Sequence, residues 1–148
     1  MLLERIETDF KAAMKAKEQI KVDTLRMLKA AVSNYLIEKL KKDLEDAELI
    51  ALIQKQVKLR QDAIEGYQKG ARQDLVQKET LEKTILESYL PKALSNDELR
   101  SLIQKVVREV GAKNKADMGK VIKETVAQAG GRADGRRISE LAQSLLSA

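Results

Sequence analysis

Residues 54–94 read QKQVKLRQDAIEGYQKGARQDLVQKETLEKTILESYLPKAL, and the fold follows from how this stretch is punctuated. It opens as a basic amphipathic helix, passes Gly66 and Gly70, resumes a helical apolar rhythm and meets Pro91, the chain's only proline. Proline lacks a backbone donor and biases Leu90 away from helical angles, which predicts a helix ending near Tyr89. Ser95, Asn96, Asp97 and Glu98 then open another helix with a capping box, in which the Ser95 hydroxyl and the Glu98 carboxylate each satisfy a backbone donor. A stop and a start this close together predict a helical body over residues 1–93 and a smaller tail domain over 94–148.

Composition sets the class. Ala, Leu, Lys, Glu and Gln abound, while Phe10, Tyr35, Tyr67 and Tyr89 are the only aromatics, which predicts an all-α fold. With 148 residues the chain can bury a core without staples. It has neither cysteine nor histidine, so thiolate nucleophiles, the usual zinc ligands and His-based triads are excluded. No metal or other cofactor is expected. No apolar run approaches the roughly 18 to 20 residues of a membrane span, and the opening MLLERIETDF is charged too early for a secretory signal. These features predict a soluble cytoplasmic protein without a membrane partner. Net charge is +5, and the residues after Leu94 hold 10 basic against 7 acidic side chains.

In the body, Leu3, Ile6, Phe10, Ala13 and Met14 mark a first helix. A second, capped by Asp23 or Thr24, carries the stripe Leu25, Leu28, Val32, Tyr35, Leu36 and Leu40. Acidic residues from Asp43 to Glu48 suit the start of a third helix through Leu49, Ile53, Val57, Arg60, Ile64 and Tyr67. A metal site among those carboxylates is the sharper reading and a solvated helix start the plainer one. Asp74 caps the fourth helix, with Leu75, Leu81, Ile85, Leu86 and Tyr89 inward. In the tail, helices carry Leu99 to Val110 (stopped by Gly111), Met118 to Val126 (stopped by Gly130 and Gly131), and Ile138 to Leu146 (capped by Asp134).

The order Arg60-Gln61-Asp62-Ala63-Ile64-Glu65-Gly66-Tyr67, Gly70-Ala71-Arg72-Gln73-Asp74-Leu75, Glu87-Ser88-Tyr89-Leu90-Pro91, Ala116-Asp117-Met118-Gly119-Lys120-Val121 and Ala133-Asp134-Gly135 resembles the GatB/YqeY family. The likeness covers essentially the whole chain. It is strongest to the stand-alone YqeY-like proteins, whose module also forms the C-terminal part of the GatB component of the glutamine-dependent, carbon-nitrogen-ligating transfer RNA amidotransferases. The resemblance implies a helical body with a small tail similar to an arm that touches transfer RNA. It also implies amidotransferase subunits as further partners. The sequence contains no counterpart of the family's catalytic cradle or amidase segment, so a non-catalytic accessory to transfer RNA is the expectation.

The residues that carry this expectation are Lys113, Lys115, Gly119, Lys120, Lys123, Arg132, Arg136 and Arg137. Cations beside helix starts hold phosphate oxygens by charge, and Gly119 and Gly135 offer backbone donors. No aromatic platform lies nearby, so contacts would follow RNA shape rather than sequence. Solubilising charges with capping glycines are the plainer reading of the same residues. The competing function is a protein-interaction module whose partner surface comprises Lys55, Lys58, Arg60, Tyr67 and Arg72. An autonomous enzyme using Glu65 or Asp62 as a base is a third reading. Oligomeric state is left open.

Overall fold

The structure, a computed structural model, describes residues 1–146. Among the described residues there is no strand, and the elements are α1 (Leu2–Ala16), α2 (Gln19–Glu38), α3 (Asp46–Lys69), α4 (Gln73–Glu87), α5 (Asn96–Val110), a 3-10 turn (Lys115–Asp117), α6 (Met118–Ala129) and α7 (Gly135–Leu146). The chain divides between Leu90 and Pro91 into two compact units.

The first unit holds α1 to α4 around Ile6, Leu25, Leu28, Leu49, Ile53, Leu86 and Tyr89, all at most 4 % exposed. Truncating one such Leu or Ile to Ala costs about 2–5 kcal/mol. Tyr89 reaches back to α1, where its hydroxyl donates to Asp9 Oδ2 at 2.6 Å and Arg5 stacks 4.9 Å from its ring centre. Burial and that carboxylate acceptor both raise the phenol's pKa.

Several helix limits differ from the sequence reading. α2 begins at Gln19, so neither Asp23 nor Thr24 is its cap. Thr24 is buried and its hydroxyl donates to Ile20 O, as mid-helix threonines do. Gly66 lies within α3, and the turn into α4 is made by Ala71 at φ 56. α4 begins at Gln73, so Asp74 stands in its first turn instead of capping it. Lys17 and Leu40 end α1 and α2 in the same left-handed conformation. Each closes the helix with a paired bond, as in Lys41 N to Leu36 O and Arg72 N to Tyr67 O. No glycine marks the stops at Lys17 and Leu40, whereas α3 ends with Gly70 as its C-cap, directly before Ala71. Leu40 and Leu81, expected in the core, are 93 % and 51 % exposed.

The acidic run before α3 is a helix start. Glu48 accepts from Glu45 N, Tyr35 Oη and Lys41 Nζ, the last two at 2.7 Å. Those bonds, from Lys41 first, hold its pKa down to about 2. No metal-binding group of carboxylates occurs among the described residues.

The second unit packs α5, α6 and α7 around Leu99, Ile103, Val106, Val121, Ile138 and Ala142, each fully buried. Ser95 Oγ accepts from Glu98 N at 3.1 Å, so half of the expected capping box forms. The Glu98 carboxylate is diverted, lying 3.6 Å from Arg132. Gly111 (φ 68) and Gly130 (φ 57) stop α5 and α6 in the left-handed region, where a Cβ is strained. Asp134 Oδ1 accepts from Arg137 N at the start of α7.

Candidate nucleic-acid interface

The eight residues singled out in the tail separate into two groups along α6. This helix has 12 residues, about 18 Å at 1.5 Å per residue. Lys113, Lys115, Gly119, Lys120 and Lys123 belong to its N-terminal half and the loop before it; Arg132, Arg136 and Arg137 follow its C-terminal end.

The arginine group is largely structural. Arg132 Nε donates to Lys92 O at 3.0 Å, while its own carbonyl accepts from Leu94 N at 2.8 Å. Arg137 donates through Nη2 to Leu94 O and to Asn96 Oδ1, the latter at 3.0 Å. The two guanidinium groups fix the extended segment ahead of α5, which has no helical partner for its carbonyls. Arg136 is exposed on the first turn of α7.

The lysine group is built differently. All four lysines are exposed, and none forms an ion pair among the described residues. Lys120 and Lys123 are three residues apart on one face of α6, opposite the buried Val121 and Thr125. The preceding loop satisfies itself. Asn114 Oδ1 accepts from Ala116 N, and Asp117 Oδ2 accepts from Lys113 N, both at 2.9 Å. The bond from Lys113 N is the largest of the effects that lower the Asp117 pKa, and the charges of Lys120 and Lys113 add to it. Asp117 and Asp134 thus place carboxylates at the starts of α6 and α7. A carboxylate at each helix start disfavours anion contact through the backbone donors expected from Gly119 and Gly135, which leaves the ammonium groups as the candidate contacts. Gly119 has open space where a Cβ would stand, so no close approach in the structure requires it. Asp117 was missed as part of this loop, although Asn114 three residues before it is a turn signal.

The candidate partner surface in the first unit is not one face. Lys55 and Lys58 point outward from α3, and Lys55 lines a shallow groove of about 560 Å³ with Tyr35, Glu38, Lys39 and Glu48. Arg60 and Tyr67, seven residues apart, share a different side of the helix and are half-buried. Arg60 points inward: its Nε lies 3.2 Å from Glu82 and 3.6 Å from Glu79, and Nη2 lies 3.4 Å from Met27 Sδ. Glu82 is 3 % exposed; burial above all, then the Glu79 charge, raises its pKa against the opposing pull of Arg60. Arg72 is exposed and pairs with Asp74 at 3.4 Å. Of the two candidate bases, Asp62 is exposed and Glu65 accepts from Gln61 Nε2 at 3.4 Å.

Two compact helical units, the second with four exposed lysines that form no ion pair among the described residues, define a small all-α protein. The chain belongs to the YqeY-like protein family, whose sequence profile matches residues 3–146. Among curated proteins it is similar to three that carry the name altered inheritance of mitochondria protein 41, mitochondrial. The protein from Eremothecium gossypii is 38% identical over 88 residues, 60% of this chain and 48% of the relative. That from Pyrenophora tritici-repentis is 28% identical over 152 residues, 100% of this chain and 82% of the relative. That from Kluyveromyces lactis is 32% identical over 108 residues, 71% of this chain and 58% of the relative. The chain therefore matches about half the length of the Eremothecium and Kluyveromyces proteins.

The relatives' names correct the expected cytoplasmic location, since they assign those proteins to mitochondria. Early charge and the lack of an apolar run do not distinguish one compartment from another. No helix among the described residues is long and apolar enough to cross a membrane.

Proposed function

We propose that this YqeY-like protein is a non-catalytic accessory that holds transfer RNA through the lysines around the start of α6. The observation that carries the reading is the set Lys113, Lys115, Lys120 and Lys123, exposed and free of ion pairs among the described residues. Ammonium groups on flexible stems contact phosphates without reading bases. With no aromatic side chain after Tyr89, base stacking has no platform in the second unit. The family likeness to the amidotransferase tail makes transfer RNA the RNA to test first and amidotransferase subunits the proteins to test first. The relatives' names point to a mitochondrial setting for that work.

Arg132 and Arg137 have a lesser part in this reading, because their donors already serve the segment before α5. A salt titration of transfer RNA binding tests the proposal. Replacing the lysines should flatten the dependence on salt, since each lost phosphate contact removes nearly one unit of slope. Binding that ignores those replacements would refute it.

A further inference from the structure

α4 presents an outer face without charge in a chain of which 34% is charged. Gln73, Gln77, Thr80, Leu81 and Thr84 are all exposed and fall within a sector about 100° wide at 100° per residue. The two threonine hydroxyls are turned inward, donating to Val76 O at 2.7 Å and Thr80 O at 2.9 Å. What they offer to the outside is carbon. Leu81, 51 % exposed, borders a groove of about 420 Å³ floored by Ile20 from α2 and Ile85 from α4. Glu18 and Lys21 form its rim.

We propose that this face of α4 and the adjoining groove form a self-association surface, occupied by a second copy of the chain in a two-fold pair. Three features select that occupant. Charge depletion at the centre with charge at the edge is the pattern of protein contacts and is unsuited to a polyanion or an anionic membrane. The rim carries one acid, Glu18, and one base, Lys21, so it is self-complementary in charge, as a two-fold pair of identical surfaces requires. Leu81 lies next to the midpoint of the 15-residue α4, where an antiparallel pair of identical helices brings the two leucines together. The face is small, so the association is transient.

Sedimentation equilibrium on the nuclease-treated full chain tests this, from about 10 µM to about 1 mM, a range suited to weak interfaces. The wild-type mass should rise from 16.6 kDa toward twice that value. Leu81→Asp, at an exposed position, should keep the wild-type thermal midpoint and associate at least tenfold more weakly. Glu18→Lys alone should weaken the pair, and Glu18→Lys with Lys21→Glu should restore it, because the swapped rims are again complementary. A wild-type mass that stays at 16.6 kDa throughout, or a Leu81→Asp variant that associates like wild type, would overturn the proposal.

Discussion

Arg137 donates to the carbonyl of Leu94, a residue 43 positions earlier, and thereby ties the start of α7 to the segment leading into α5. A hydrogen bond from a charged donor contributes about 1.5–3 kcal/mol. Arg137→Ala should lower the stability of the second unit by about 2 kcal/mol, measured by denaturant unfolding of the full chain. Arg137→Lys should recover only part of it, because lysine cannot span Leu94 O and Asn96 Oδ1 with one planar fork. An unchanged midpoint in Arg137→Ala would show that the arginine is free to act elsewhere.

Gly66 and Ala71 carry opposite expectations. Gly66 stands within α3 with open space at its Cβ position, so Gly66→Ala should stabilise by about 0.5–1 kcal/mol. Ala71 holds φ 56, so Ala71→Gly should relieve strain of about 1 kcal/mol. Thermal melts of the two variants should both shift upward.

These two residues also show where the sequence was legible. The class, the apolar stripes and the stops at Gly111 and Gly130 could be read because period and glycine chemistry agree there. The turn between α3 and α4 was legible in part: Gly70 caps α3, whereas Gly66 is helical and the left-handed residue is Ala71. Leu81 was placed inside by spacing alone, while the buried side chain one residue later is Glu82, which lies 3.2 Å from Arg60. That tertiary pairing leaves no trace in local sequence. The candidate interface was only half legible for the same reason. Charge counts grouped Arg137 with Lys120, whereas backbone acceptors distant in sequence give Arg137 a structural task.

Arg60 allows a direct measure of that pairing. Arg60→Ala leaves Glu79 and Glu82 without their cation, and the expected cost is about 3 kcal/mol. A loss below about 0.5 kcal/mol, typical of exposed positions, would return Arg60 to the candidate partner surface.

Stability should respond to pH with two opposite signs. Glu48 has a depressed folded pKa, so its contribution is present above the unfolded value of about 4.5 and is lost as pH falls toward about 2. Glu82 has a raised one, so its contribution is present below about 4.5 and is lost as pH climbs through the folded value. Glu48→Gln should flatten the acid limb of a stability profile between pH 5 and pH 2 or so, and Glu82→Gln should raise the midpoint near neutral pH. The reverse pattern would mean that these carboxylates are not held as described.

Thr125 is fully buried, and its hydroxyl has no hydrogen-bond partner among the described residues. Thr125→Val keeps the shape and removes the unsatisfied group, so the second unit should gain about 1 kcal/mol. Slower amide exchange across α6 would register the gain.

The most direct test of the central claim is the salt dependence of transfer RNA binding by the wild-type chain and by a variant with Lys113, Lys115, Lys120 and Lys123 all changed to Gln. If these lysines hold phosphates, the slope of log K against log salt should fall by about three units while the fold stays intact. An unchanged slope and affinity in the variant, or no binding by the wild type even at low salt, would contradict the account.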